Sequence, residues 1–458
     1  MNDLGKKSKL KLGLSHAFGQ FGALFSLSLL VAAAANIGLG PLLLALGLGT
    51  ILVTIFGGKS MPFVTMPSFV FLPALVIFMR GYETLAIGTP AWNFRLGGLL
   101  VSLWVSGLLY VFGATLVRYV GVKKMRRIFS PTFSGSLIVL LALSLLPRVF
   151  MFSFYDPLVE TSTPMWKFIT IGLMALFGYT VTTFLSKKPA GQAMLAALFG
   201  ILTGIVTTVI VDAIELLWLS ESLDHTLLFR LIVIPDVALT VFHDLEANFG
   251  FWQYLHFDLE SLLLIVPLVL VAISEHIHAM TVYVLKEPHS SEGLHADKTL
   301  LSEGIATMIG SMVGGYPLAI SEDTVKMGVG RTKAHPISLI FIALITISIG
   351  LFPLISYYLN AIPLPVIGGV LIGWIGFEAV KGFNRVARLV HDDLHPQATA
   401  LSLIVLGLGL TLSTMEFISD FLGNTTFRLM AGMTPIPSYA IIIALAFLMN
   451  LATPRIVE

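Results

Sequence analysis

Glu275 sits inside an apolar segment, SLLLIVPLVLVAISEHIHAMTVYVL (Ser261–Leu285), and the fourteen residues before it, Ser261 to Ser274, carry no charge. A carboxylate that deep in a bilayer-length segment costs about 2.5–3.5 kcal/mol even on lenient insertion scales. It persists where it faces a cavity, a partner or a polar substrate. His276 follows it directly and His278 lies three residues on. On a helix the i+3 neighbour shares a face, whereas i+1 is turned well away. His278 is therefore the expected partner of Glu275 in a proton-linked network, and His276 is expected to pack against another helix. A second acidic group, Glu322 and Asp323, lies in YPLAISEDTVKMGVG (Tyr316–Gly330). Lys326 follows Glu322 by four residues and Asp323 by three, so it can neutralise either. Pairing with Asp323 would leave Glu322 to face the cavity.

Other chemistries find no support. EHIH lacks the i, i+4 spacing of a helical metal site, and the chain has no cysteine, so no metal and no cofactor is expected. No nucleophile–base pair stands out; the chain reads as a non-enzyme without catalytic residues. Two acid sites in apolar surroundings point to a path for a polar small molecule.

The elements that would position these acids follow from composition. Of 458 residues, 56% are hydrophobic and 12% charged, against about 25% charged in soluble chains. No Asp, Glu, Lys or Arg occurs between Lys11 and Lys59, room for two membrane spans of about twenty residues. The long apolar runs predict helices, since barrel strands would alternate over about ten residues. A net charge of +1 gives no electrostatic case for nucleic acid. The N-terminal apolar stretch is too long for a cleaved leader and reads as a first span.

Apolar runs predict fourteen spans, near 12–34, 38–56, 61–79, 97–119, 132–150, 168–186, 192–212, 261–285, 299–313, 317–331, 336–358, 363–380, 397–415 and 435–452. Basic residues mark alternate loops: Lys6 to Lys11, Lys123 to Arg127, Lys187 and Lys188, then Lys286, Lys298, Arg331, Lys333, Lys381, Arg385 and Arg388. The 219–260 loop is acidic, with Arg230 its one strong base. By the positive-inside rule both termini are expected in the cytoplasm.

The third and tenth spans are interrupted, at Met66-Pro67-Ser68-Phe69 and Tyr316-Pro317-Leu318-Ala319. A break at membrane depth frees backbone N–H and C=O groups that protein or a polar ligand must satisfy. The helix start after each break adds a positive dipole end. Backbone groups of Phe69 and Ser321 are thus candidate ligand donors. Pro131-Thr132-Phe133-Ser134-Gly135-Ser136-Leu137-Ile138 also matches Pro365-Val366-Ile367-Gly368-Gly369-Val370-Leu371-Ile372 at Pro, the second small residue and Leu-Ile. Seven spans per half is odd, so the second half is expected upside down relative to the first. Paired breaks in inverted repeats are the pattern of secondary transporters.

The chain resembles the nucleobase–ascorbate transporter family, the group of bacterial uracil and xanthine permeases, from about Leu14 to the last span. SEHIH (Ser274–His278) is similar to the Glu-His motif of the family's eighth span, and GLHADKTLLSEGIATMIGSMVGG (293–315) to its ninth. ISEDT (320–324) resembles the Gly-Glu-Asn core of the tenth, and IPLPVIGGV (362–370) the entry to the twelfth. LSHAFGQFG (14–22) and PSFVFLP (67–73) resemble its first and third spans. Ser321 stands for Gly, Asp323 for Asn, and the second His falls one position early. Lys326 occupies a place usually small or apolar.

The resemblance implies a fourteen-span fold of two inverted seven-span repeats. Residues 1–120 and 261–360 would form a core domain. Residues 121–218 and 361–458 would form a gate domain, and 219–260 an extracytoplasmic loop. It implies substrate bound by Glu275 and Glu322 with backbone contacts from Phe69 and Ser321, and proton coupling through Glu275, His278 and Glu322. It also implies a dimer in the cytoplasmic membrane that imports a nucleobase. The alternative on the same fold is a small inorganic or organic anion, which Lys326 would suit.

Overall fold

The computed structural model describes residues 21–57 (Ala23 apart), 63–79, 87–152, 165–186, 192–218, 250–286, 296–325 (Asp323 apart), 336–352, 362–391, 396–421, 429–431, 434–436 and 438–452. Asp323, Lys326, the N-terminal lysines, the 219–249 loop, Lys187, Lys188, Arg331 and Lys333 lie outside the described residues.

The described chain is almost entirely helical. In the first half α1 (Leu24–Ala34) and α2 (Leu39–Phe56) precede a two-residue strand, β1 (Met66–Pro67). A 3-10 turn (Phe69–Phe71) then leads into α3 (Leu72–Phe78). Next come α4 (Pro90–Val120), the short connector α5 (Val122–Ile128), α6 (Pro131–Phe152), α7 (Met165–Leu185) and α8 (Gln192–Trp218). The second half has α9 (Leu259–Lys286), α10 (Ala296–Met312), β2 (Leu318–Ala319) and a helix starting at Glu322. It ends with α11 (Pro336–Leu351), α12 (Leu364–His391), α13 (Pro396–Phe421), a β3–β4 hairpin (Leu429–Ala431, Thr434–Ile436) and α14 (Ser438–Ala452). Seven described helices are long and apolar enough to cross a membrane, because about twenty residues at 1.5 Å rise span the hydrocarbon.

Both interrupted segments are true breaks. β1 and β2 pair antiparallel, Met66 opposite Ala319 and Pro67 opposite Leu318, so the two breaks satisfy one another. Pro67 fits there because a two-stranded ribbon is all edge, where a missing N–H does no harm.

The packing obeys the repeat. Exchanging α2 with α10, α4 with α11, α6 with α12, α7 with α13 and α8 with α14 turns the main contacts among these ten helices into one another. Thus α2 on α11 becomes α10 on α4, α7 on α8 becomes α13 on α14, and α7 on α12 becomes α13 on α6. The contacts α2–α10, α6–α12 and β1–β2 map onto themselves. An antiparallel pair at the centre is what a two-fold axis in the membrane plane requires, and the chain is an all-α membrane protein built of inverted repeats.

Small residues let the helices approach closely, the usual device where lipid removes the hydrophobic drive between helices. A Cβ on Gly304 would lie 2.9 Å from the Gly107 carbonyl oxygen, and one on Gly382 2.7 Å from that of Gly135. Gly314 alone turns the chain with φ of +81° after α10. Large apolar side chains of α7 and α8, Phe177, Phe184 and Leu202 among them, face outward.

Several residues read as loop lie on helices: Lys123 to Arg127 on α5, Lys286 at the end of α9 and Lys298 on α10. Lys381, Arg385 and Arg388 do not lie in a cytoplasmic loop; α12 continues through all three to His391. Charge lowers local hydropathy and so ends an apolar run, but it does not end a helix. Glu378, Lys381 and Arg385 follow at intervals of three and four, which keeps them on one face.

Candidate functional site

A cavity of about 80 Å³ opens where the β1–β2 pair meets α9, α10 and α12. That is several times the space of about 10–15 Å³ that one water needs. Of the residues singled out from sequence, Glu275, Glu322, Phe69 and Ser321 line it.

The backbone around the breaks is tied from both halves. In the first half Thr65 N–H donates to Thr50 Oγ1 of α2 at 3.2 Å, and Thr65 Oγ1 donates to the Leu46 carbonyl at 3.0 Å. In the second half Leu318 N–H donates to Thr307 Oγ1 of α10 at 3.2 Å. Here α2 and α10, equivalent by the repeat, do the same work. Ser68 N–H donates to the Pro317 carbonyl at 3.0 Å, and the Tyr316 hydroxyl to the Ser68 carbonyl at 2.8 Å.

Beyond each break a helix start points at the cavity. Phe69 opens the 3-10 turn, where the first N–H groups have no partner within the helix. Ser321 caps the second start reciprocally. Thr324 N–H donates to Ser321 Oγ at 3.2 Å, and Ser321 N–H donates to Thr324 Oγ1 at 3.2 Å. This is a capping box with Thr in the return position. The Ser321 N–H, expected as a ligand donor, is thus engaged within the protein, while Glu322 is carried on the first turn behind it.

The acids are gathered by a residue that the sequence reading left in a loop. Arg385 of α12 is 8% exposed and its guanidinium bridges both carboxylates. Nη1 donates to Glu275 Oε1, Nη2 to Glu275 Oε2 at 3.2 Å, and Nη2 also to Glu322 Oε2 at 2.7 Å. Ser134 Oγ of α6 lies 3.4 Å from Nη1. The expected Glu275–His278 pairing along α9 is replaced by this bridge. His278 Nε2 lies 3.6 Å from Glu322 Oε2 instead.

His276 does pack against another helix. Its Nε2 meets Thr299 Oγ1 at 2.8 Å and its Nδ1 lies 2.8 Å from Glu303 Oε2, both on α10. Glu303 is buried and its Oε1 accepts the Ile320 N–H, beside β2. On the α12 wall Glu378 Oε1 accepts from Lys381 Nζ at 2.7 Å and from Trp374 Nε1 at 3.2 Å. The Trp374 ring meets Phe69 edge-on at 5.2 Å between centroids.

Sequence reasoning therefore missed Arg385, Glu303, Glu378, Lys381 and Trp374. The rule that selected Glu275 applies to Glu303 as well, since it too interrupts an apolar run. For Arg385 the available signal was its helical spacing from Glu378 and Lys381. Among the described residues no cluster of ligating side chains could hold a metal ion.

This arrangement places carboxylate acceptors, a guanidinium donor, helix-start N–H groups and an aromatic wall around a small cavity. That suits a planar polar molecule with donors and acceptors along its edge.

Comparison with known proteins agrees in kind. A family model described as Permease family (Xan_ur_permease) matches residues 7–419. A probable uracil permease of Haemophilus influenzae is 25% identical over 410 residues, covering 88% of each chain. A uracil permease of Paenibacillus larvae is 24% identical over 445 residues, 96% of this chain and 93% of that one. Among solved structures, the transmembrane domain of a cyanobacterium bicarbonate transporter, BicA, superposes with a TM-score of 0.54 at 14% identity, over 90% of this chain and 98% of that one. The murine anion transporter Slc26a9, in its inward-facing state, superposes with 0.60 at 12% identity, over 98% of this chain and 69% of that one. These two likenesses establish the fold.

Proposed function

The chain belongs to this permease family, and from that membership we propose that it is a secondary active transporter importing a uracil- or xanthine-like nucleobase with protons. The observation that carries the reading is the meeting of Glu275 and Glu322 in one cavity between the two broken segments. A nucleobase edge alternates ring N–H donors with carbonyl acceptors. Carboxylates accept from the N–H groups, the helix-start N–H of Phe69 is free to donate to a carbonyl, and Phe69 and Trp374 form an aromatic wall for the ring. Proton coupling is assigned to Glu275, Glu322 and His278, the histidine lying 3.6 Å from Glu322 Oε2.

In this reading the α2, α4, α9, α10 and α11 group is a core that moves against a gate of α6 to α8 and α12 to α14. The protein works as a homodimer in the cytoplasmic membrane, with both termini inside and the acidic 219–260 loop outside.

A second reading, an inorganic or organic anion as solute, is favoured by the two cations in the cavity wall, Arg385 and Lys381. Each is already paired with a carboxylate, so the nucleobase stands first. A thermal-shift screen of the purified protein against uracil, xanthine, ascorbate, sulfate and bicarbonate separates the readings. A ligand at a hundred times its dissociation constant stabilises by about 2.7 kcal/mol. Stabilisation by uracil or xanthine, followed by uptake into proteoliposomes that rises with an inward proton gradient, is the expected result. Stabilisation by sulfate or bicarbonate alone would replace the nucleobase with an anion.

A further inference from the structure

Arg385 raises a conflict that the proposed function must resolve. Three of the four carboxylate oxygens of Glu275 and Glu322 are held by one guanidinium. Any ligand that uses these acids must first take a guanidinium contact away. The contact also joins two packing groups. Arg385 belongs to α12, which packs on α6, α7 and α8, whereas Glu275 lies on α9, whose main partner is α4 and which also touches α6 and α14. Glu322 starts the helix behind β2, which is tied to α10.

Pulling a guanidinium from two carboxylates in a confined cavity is costly unless every severed contact is replaced. The carboxylate needs a new donor and the guanidinium a new acceptor. A fully deprotonated anion such as sulfate offers an acceptor to Arg385 but no donor to the acids; an ammonium-type cation offers the reverse. A ring edge of the form N–H next to C=O offers both, so inserting it at one guanidinium–carboxylate contact replaces the bond lost on each side. This distinction follows from the pairing itself and not from the charge of the cavity.

We propose that Arg385 is a substrate-displaced latch and specificity-determining residue: in the empty protein it closes α12 onto Glu275 and Glu322, and a ligand bearing an imide or amide edge opens it by exchanging its N–H for a guanidinium N–H and giving its carbonyl to Arg385. The proposal rests on the nucleobase reading for the identity of the ligand, while the latch can be tested without one. Lys381, one turn earlier on α12, stays on Glu378 and takes no part in the exchange.

The chain has no cysteine, so spin labels can be placed by Tyr119→Cys on α4 (83% exposed) and Leu403→Cys on α13 (67% exposed). Distances are read with and without uracil, in the labelled parent and in Arg385→Gln and Arg385→Lys. Expected are one narrow ligand-free population in the parent and a broadened one in Arg385→Gln, with Arg385→Lys between. Saturating uracil should move the parent toward the population that Arg385→Gln adopts unaided. Uptake in the variant should show KM for uracil raised at least tenfold with a smaller change in kcat, since the shorter, neutral amide replaces the charged donor that the ring carbonyl would meet beside the acids.

If Arg385→Gln folds and its ligand-free distances equal the parent's, the latch is overturned whatever uracil does. If the parent ignores uracil while the ligand-free distances behave as expected, the nucleobase reading falls and the latch stands. Should Arg385→Gln fail to fold, the double variant Glu275→Gln, Glu322→Gln removes both charges that the guanidinium bridges and decides by the same distances. Broadening there supports the latch, and an unchanged distribution overturns it.

Discussion

Glu303 offers a test of what holds the second break in place. A buried carboxylate in a membrane helix looks like a cost, and replacing it with leucine should then stabilise the protein. The structure gives the opposite expectation. Glu303 is 1% exposed, its Oε1 accepts the N–H of Ile320 (itself 1% exposed), and its Oε2 lies 2.8 Å from His276 Nδ1. In Glu303→Leu the Ile320 N–H loses its acceptor where water cannot replace it, a loss of about 1–3 kcal/mol. Glu303→Gln keeps a carbonyl oxygen of the same reach, so the Ile320 bond survives. The two variants should therefore differ by about 1–3 kcal/mol, leucine the worse. Reversible unfolding in mixed detergent micelles, with both variants and the parent side by side, measures the difference. Leucine should also impair uptake more than glutamine does, because Ile320 leads directly into Ser321 and Glu322. A leucine variant as stable as the glutamine one would refute the argument, and would mean that the break is held by the β1–β2 pairing and Thr307 alone.

Two further outcomes follow from the packing and the charge pattern. Gly304→Leu should prevent folding or lower stability by at least about 1–3 kcal/mol, since a Cβ there lies 2.9 Å from the Gly107 carbonyl oxygen and 3.0 Å from the Tyr110 Cβ. Gly376→Leu, with open space at its Cβ, should fold normally in the same assay. For orientation, a single cysteine at position 240 should react with a membrane-impermeant maleimide in intact cells. One at position 124 should react only after permeabilisation, and the reverse pattern would invert the topology.

Much of the fold was legible in the chain because the relevant free energies are local. Transfer of an apolar run into lipid is a sum over that run, so the spans and the all-α class follow from composition. Glu275 is conspicuous for the same reason: its cost is set by its fourteen uncharged predecessors. Pro67 and Pro317 advertise the breaks by removing backbone donors. The odd count of spans in each half then fixes the inversion.

The site was not legible to the same degree. The bridge from Arg385 to Glu275 joins residues 110 positions apart, and that from Glu303 to Ile320 depends on α10 lying behind β2. The first pair lies beyond any local window, and the second, 17 positions apart, is joined only because the chain doubles back after α10. A charged residue read alone looks like the end of a span, so Lys381 and Arg385 passed for a loop. Only the reach of Arg385 from α12 to Glu275 of α9 and to Glu322 beyond the second break supplies the carboxylates that make burial of a guanidinium tolerable. His278 is the same case in reverse: its spacing from Glu275 is helical, yet tertiary placement gives Glu275 to Arg385 and leaves His278 near Glu322. Local sequence decides which side chains can be buried, and the tertiary contacts decide which of them meet.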